Sequence, residues 1–211
     1  MKIPNTEKVW NKVASPWKEV RKKPVEEVIN FLKTKKGKIL DLGCGSGRNF
    51  TKVDGVIYGV DFSENMLKYA KSLAKERDVK VKLTKSRAEN LPFKDNFFDA
   101  AIFVATLHCI PKEKERKKAL QELYRVLKKG KEAIITVWDK NQEKFKNAEK
   151  EVLLSWKQEG KEYRRYYYLY EKDEIEKLVK SVGFKIKKVI DWENPEFFYS
   201  KKNIILVVEK P

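Results

Sequence analysis

Chemistry first suggests itself in "DLGCGSGRN", where Gly43, Gly45 and Gly47 follow the acid Asp41 at two-residue spacing. Glycines at such a turn let the backbone approach a ligand closely, because no Cβ stands in the way. A second acid, Asp61, ends the next apolar run, "GVIYGVD". An acid at that remove from a glycine turn suits hydrogen bonds to ribose hydroxyls, so a nucleoside cofactor is expected. The single histidine, His108, precedes Cys109, and Cys44 is the only other cysteine. That inventory excludes a zinc ribbon or a disulfide scaffold, and no metal site is expected. Residues 161–170, "KEYRRYYYLY", gather five of the nine tyrosines beside two arginines. Such a segment offers cations to an anion and aromatic faces to a flat ring.

The elements that must position these groups are readable from periodicity. Residues 5–34 read as two helices, with Val9, Trp10, Val13 and Trp17 on one face of the first and Val25, Val28, Ile29 and Leu32 on the second. A break is expected at "SPW" and "RKKP", with Pro24 in the first turn of the second helix. "GKILDLGCGSG" and "GVIYGVD" read as buried strands, and Ser63 as the N-cap of a helix over "ENMLKYAKSLAKE". "VKVKL" is the third strand, "FFDAAIFVATLHC" a continuous apolar fourth and "EAIITVW" a fifth. Strands alternating with helices imply right-handed crossovers and a parallel sheet. The last third differs: a polar helical stretch, the tyrosine segment, a helix near Asp173 to Val182, then two strands joined by a short connection. Those two should pair as an antiparallel hairpin. The expectation is one α/β domain of 211 residues: N-terminal helices over 1–36, a cofactor core over 37–140, a substrate-side insertion over 141–170, and a helix and hairpin over 171–211.

Lys and Arg total 48 and Asp and Glu 31, a formal net charge of +17, and charged residues make up 37% of the chain. A balance this basic suits a nucleic-acid partner, although net charge speaks to non-specific attraction more than to function. The Lys- and Glu-rich surface also resembles that of proteins from very hot organisms. Met1 to Pro4 lack a signal-peptide core, and no apolar run approaches a membrane span. A cytoplasmic protein with no membrane partner is expected.

The G-x-G-x-G spacing, with Arg48 where a dinucleotide fingerprint wants a third glycine, narrows the cofactor. Here the chain resembles the class I S-adenosylmethionine-dependent methyltransferases, whose pattern matches "ILDLGCGSGRN", "GVDFSENML", "AENLPF" and "FDAAIFVATLHC" in order. The resemblance implies a Rossmann-like, mostly parallel seven-stranded sheet with helices on both faces and the C-terminal hairpin. It implies S-adenosylmethionine held by Asp41 and the Gly43, Gly45 and Gly47 turn. Asp61 would take the ribose hydroxyls, with Phe62, Met66, Ala88, Glu89 and Ala105 around the rest. Many relatives carry Asp before that alanine to accept from the adenine amino group. This chain has Arg87, which cannot accept.

A narrower resemblance extends beyond the core. "VWNKVASPWKEVRKKP", "LHCIPKEKERKKALQELYRVLKKG", "ITVWDKNQ" and "YRRYYYLYEKDEIEKLVKSVGF" are similar to the tRNA wobble-uridine carboxymethyl O-methyltransferases. Members include the methyltransferase domain of a human alkylation-repair homologue. The implied reaction is methylation of the carboxylate of 5-carboxymethyluridine in the tRNA anticodon loop. The resemblance implies Arg21 and Arg165 as catalytic cations and Trp138 and Tyr166 as substrate contacts, with Tyr168, also expected at the substrate, standing where the family has His. His108, at a strand end bordering the cofactor site, is a catalytic candidate from its position, to orient the substrate or accept a proton. The resemblance further implies a small zinc-containing activator subunit pairing with the sheet edge, expected at the third strand, whose lysines equally suit protection of an edge against pairing. His108 and Cys109 also read as packed side chains at a strand end, and Arg21 as solvated surface. A small carboxylic acid as substrate stays open, as does a non-catalytic RNA-binding role, against which the intact glycine turn argues.

Overall fold

The computed structural model describes residues 3–211; the expectation drawn from Met1 and Lys2 lies outside them. Seven strands form one sheet. The parallel part is β1 (Lys36–Leu42), β2 (Asp54–Asp61), β3 (Val81–Lys85), β4 (Ala100–Val104) and β5 (Lys131–Trp138). β6 (Glu151–Gln158) and β7 (Lys161–Tyr168) make a separate two-stranded hairpin. β8 (Lys185–Ile190) and β9 (Asn203–Lys210) complete the large sheet in the order β3-β2-β1-β4-β5-β9-β8, with β9 antiparallel to both neighbours. The mostly parallel sheet with a C-terminal antiparallel hairpin is the architecture expected, and β3 is indeed an edge.

Alternate side chains of the strands feed two faces, so the sheet is buried on both. Leu40, Val60, Phe103 and Ile135 pack on one face with α4 (Glu113–Val126) and α5 (Lys172–Ser181) through Leu120, Leu123, Ile175 and Val179. Ile39, Ile102 and Ile134 face the other way, against Val28 and Leu32 of α2 (Glu26–Leu32). On that same face Ile57 meets Ala70 and Ala74 of α3 (Glu64–Glu76). Ser63 caps α3 as expected, its hydroxyl accepting from Met66 N at 3.2 Å.

Several boundaries differ from the sequence expectation. α1 (Thr6–Val20) runs straight through Pro16 instead of breaking at "SPW". Proline removes one helical hydrogen bond, but Val13 and Ala14 are fully buried on the same helix, and that burial outweighs the lost bond. Pro24 precedes the α2 cap, Val25, instead of lying in its first turn. β3 starts two residues later than "VKVKL". β4 is only five residues long, because Ala105 turns the chain at φ 51 and residues Leu107–Cys109 form a 3-10 turn. The polar helical stretch is a correction too: β6 occupies it, turned by Glu159 and Gly160, both at positive φ as a two-residue hairpin requires.

The C-terminal ends of the parallel strands lie together. Sequence order runs outward from β1 toward β3 on one side, and through β4 toward β5 on the other. Such a switch point opens a crevice at the strand ends, and α/β sheets bind ligands there. The chain's glycine turn, Asp61, Ala105 and Trp138 all lie at those ends.

Candidate active site

Two connected hollows of about 100 Å3 and about 40 Å3 occupy the crevice, sharing Gly43, Asp61, Phe62, Thr106 and Cys109. The glycine turn forms their floor. Gly43 N and Cys44 N both donate to Val60 O, at 2.8 and 2.9 Å, which locks the turn to the end of β2. A Cβ on Gly43 would stand 2.3 Å from the Thr106 side chain, at φ 71, so no side chain fits. A Cβ on Gly45 would meet nothing nearer than Met66 Sδ at 4.0 Å. The space beside Gly45 is open toward the larger hollow, which it lines with Met66 and Ala105. Asp61 Oδ2 accepts from Gly45 N at 3.0 Å and Oδ1 from Ser63 N at 2.8 Å. Burial outweighs those bonds and raises its carboxyl to about 6. Asp41 is 1% exposed and its Oδ2 has no hydrogen-bond partner among the described residues. Burial, reinforced by the charge of Asp61, raises Asp41 to about 8.

The smaller hollow is bounded by Phe62 and by Ser86 to Glu89. Arg87 does not intrude on it as a free cation. Its Nε donates to Glu89 at 2.6 Å, and its guanidinium lies 5.7 Å from the Phe62 ring. The arginine therefore clasps Glu89 and flanks Phe62, while Ala88 lines the hollow.

A third cavity of about 230 Å3 opens from the larger hollow, with which it shares Trp10, Trp17, Arg21, Arg48 and Ala105. Its wall is aromatic. Trp138 and Tyr167 stack at 4.2 Å and 12°, and His108 lies 5.2 Å from Trp138. Among the described residues Arg21, Arg48, Lys144 and Lys202 line it, and no Asp or Glu does. Burial, then the charges of Lys202, Arg21 and Arg165, lowers Lys144, as a crowd of unneutralised cations must.

His108 is 1% exposed, and its Nδ1 accepts from Trp138 N at 3.1 Å. Its proton therefore resides on Nε2. Burial lowers it to about 3, so it is neutral at physiological pH and suited to donate, not to take up a proton. Burial likewise pushes the Cys109 thiol up, which leaves it a thiol.

α1 roofs this site with Trp10 and Trp17. It is latched by Asn11, whose Oδ1 accepts from Ser63 Oγ at 2.8 Å and whose carbonyl accepts from Asn65 Nδ2 at 2.9 Å. β7 packs against α1 and against the 3-10 turn. Strand parity then separates the tyrosines. Tyr167 faces the cavity. Tyr166 and Tyr168, expected as substrate contacts, face the other way: Tyr166 Oη donates to Pro111 O at 3.2 Å, and Tyr168 bonds Glu174 beneath the Arg116 guanidinium. Arg165 shares the face of Tyr167 but lines none of the three hollows. It is 8% exposed, its carbon centre 5.1 Å from Trp17 and 5.0 Å from Trp156, and its Nη1 donates to Tyr167 Oη at 2.8 Å. The expectation that Arg165 meets substrate gives way to one in which it stands behind the wall and holds Tyr167. Sequence reasoning missed Tyr167, Arg48, Lys144 and the tryptophans of α1 as lining groups; the signal that could find Tyr167 is alternation along a strand, which sets it on the face opposite Tyr166 and Tyr168.

Residues 40–135 match a family described as a methyltransferase domain. A putative methyltransferase of Encephalitozoon cuniculi is 31% identical over 160 residues, 72% of this chain and 72% of its own. A tRNA (carboxymethyluridine(34)-5-O)-methyltransferase of Schizosaccharomyces pombe is 29% identical over 96% of this chain and 94% of its own. The fold superposes on Burkholderia thailandensis 1,6-didemethyltoxoflavin-N1-methyltransferase, solved with bound 1,6-didemethyltoxoflavin and S-adenosylhomocysteine, with a TM-score of 0.72 at 15% identity, over 100% of this chain and 92% of that one. The site fits that cofactor: the free lone pairs of Asp61 suit ribose hydroxyls and open space lies beside Gly45, while Asp41, expected as a cofactor contact, keeps an orphaned oxygen suited to an ammonium group but is buried and lines none of the three hollows. The chain belongs to the class I methyltransferases, and its cofactor is S-adenosylmethionine.

Proposed function

We propose that the protein methylates the carboxylate of 5-carboxymethyluridine at the wobble position of tRNA. The observation that carries this reading is the third cavity: aromatic walls and, among the described residues, four cations and no carboxylate, opening directly onto the cofactor hollow. Stacked rings such as Trp138 and Tyr167 receive a flat unpaired base, and an acid-free cationic lining favours a substrate that bears negative charge. The name of the Schizosaccharomyces pombe relative points the same way.

When bound, S-adenosylmethionine supplies an electrophilic methyl group. A carboxylate with a pKa near 4 is ionised at neutral pH and needs no general base. A neutral His108 and a protonated Cys109 are consistent with a site where none acts. The work left to the chain is alignment, and orientation alone is worth several kcal/mol, up to about 7–11 in favourable cases. His108 Nε2 offers a donor to a base carbonyl, and the cations hold the carboxylate. The net charge of +17 adds salt-dependent affinity for phosphates.

The test supplies labelled cofactor with tRNA that bears or lacks carboxymethyluridine. Label should appear only on the modified tRNA and be released by mild alkali, as an ester is. Transfer to small carboxylic acids but never to tRNA would replace the substrate assignment.

β3 also leaves one side of its ladder unpaired at the sheet edge, where a zinc-containing activator subunit can add a strand. Affinity purification from the source cells should recover such a subunit, and adding it should raise transfer. Full activity of the isolated chain, with no subunit recovered, would exclude it.

A further inference from the structure

Among the described residues Arg21 and Arg48 are the two cations that line both the cofactor hollow and the aromatic cavity. They therefore stand at the junction where the cofactor's methyl group and the substrate must meet. We infer that Arg48 joins Arg21 in a two-guanidinium seat for the substrate's carboxylate. This rests on the carboxylate-substrate reading above.

The geometry of Arg48 is that of a group held ready. Its Nε and Nη2 donate to Lys23 O at 3.2 and 3.0 Å, which fixes the plane of the guanidinium. Its Nη1 donates to no protein group among the described residues. Its own carbonyl accepts from Arg77 Nη1 at 2.8 Å, while Arg77 Nη2 donates to Lys22 O at 2.8 Å. The two arginines thus tie the segment after α1, which begins at Arg21, to the residue that follows the glycine turn. Arg21 lies with its carbon centre 5.1 Å from the Trp17 ring. Among the described residues no carboxylate lies within 4.0 Å of either guanidinium, although the chain pairs many of its other cations with acids. Asp41 acts on Arg48 only across a longer distance, so two like charges stand there without a contacting acid, and a carboxylate with two acceptor oxygens relieves both. Burial lowers Arg48; the Tyr199 phenol and the Asp41 carboxyl act against that shift, and the charge of Arg21 adds to it.

The experiment titrates anticodon stem-loop RNAs into protein saturated with S-adenosylhomocysteine. One RNA carries 5-carboxymethyluridine and the other its neutral 5-carbamoylmethyl counterpart. The wild type should prefer the carboxylate by tenfold or more. Arg48→Gln should erase most of that preference while changing affinity for the neutral RNA less than about twofold, and Arg48→Lys should keep part of it. Equal weakening of both RNAs would make Arg48 a structural clasp only and overturn the seat. A preference fully retained by Arg48→Gln, or absent from the wild type, would overturn it as well. Methyl transfer is scored separately. A wild type that never methylates the carboxymethyl RNA overturns the substrate assignment, while the seat still stands or falls on the binding preference.

Discussion

Asp61→Asn should weaken S-adenosylhomocysteine binding by about a hundredfold at pH 8, read by titration calorimetry, without lowering the melting temperature of the empty protein. The two halves of that expectation have one cause. Asp61 accepts one backbone bond on each oxygen, from Gly45 N and Ser63 N, and still lines both cofactor hollows. Ribose hydroxyls donating to it form charge-assisted bonds worth about 1.5–3 kcal/mol each. An amide has one acceptor oxygen and no charge, so it forfeits most of that gain. Weakening of less than about fivefold would remove Asp61 from the cofactor site.

Stability moves the other way with charge. Burial raises the folded pKa of Asp61 to about 6, above the ordinary value near 3.9 in an unfolded chain. The ionised form is thus the disfavoured one in the empty fold. The contribution of the group is fully present below about pH 4 and is lost as pH rises through about 6. Asp41 has the same sign, with its window extending to about 8. Removing the Asp61 charge relieves a penalty at pH 8, which offsets the backbone bond that the amide cannot accept. Cofactor binding has the opposite dependence, because the hydroxyls favour the carboxylate. Affinity of the wild type should therefore fall as pH drops through about 6, and that decline should be missing from Asp61→Asn.

Much of this was legible in the sequence because it rests on local rules. Strands buried on both faces are continuous apolar runs, so β1, β2, β4 and β5 stand out as "KILDL", "VIYGVD", "AAIFV" and "AIITVW". The glycine turn and Asp61 are legible for a related reason: a close backbone approach tolerates no side chain, and the acid must end a strand. What stayed hidden depends on distant partners. α1 passes through Pro16 only because its apolar face is buried, which no helix propensity registers. β6 lies in a half-buried hairpin whose turn is Glu-Gly, lacking the Asn or Asp that signals such turns. The aromatic cavity joins α1, the glycine turn, β5, β7 and the loop before β9, so its lining is a property of the tertiary fold. The tyrosine segment is the instructive middle case. Alternation along a strand already puts Arg165 and Tyr166 on opposite faces, so they cannot both face the methyl group, and the structure shows Tyr167 with Arg165 behind it.

That arrangement makes Arg165→Ala a structural lesion first. Arg165 is nearly buried among Trp17, Trp156, Trp10 and Tyr167, with carbon-to-ring distances of 5.0–6.0 Å. A desolvated cation–aromatic contact is worth about 2 kcal/mol. Truncation also strips the Tyr167 hydroxyl of its donor, at a cost of about 1–3 kcal/mol. The sum, about 3–5 kcal/mol, should lower the melting temperature by roughly 10 °C in a chain of this length. Lysine would restore the charge without the planar face that stacks between indoles, so Arg165→Lys should recover only part of the loss. Tyr167→Phe leaves the ring stacked on Trp138 and removes only the acceptor, which isolates the hydrogen bond. In folded Arg165→Ala at low temperature, affinity for S-adenosylhomocysteine should stay within about threefold of wild type, because Arg165 lines neither cofactor hollow. Methyl transfer should fall further, since Tyr167 loses its anchor. An unchanged melting temperature with transfer abolished would instead return Arg165 to direct contact with the substrate.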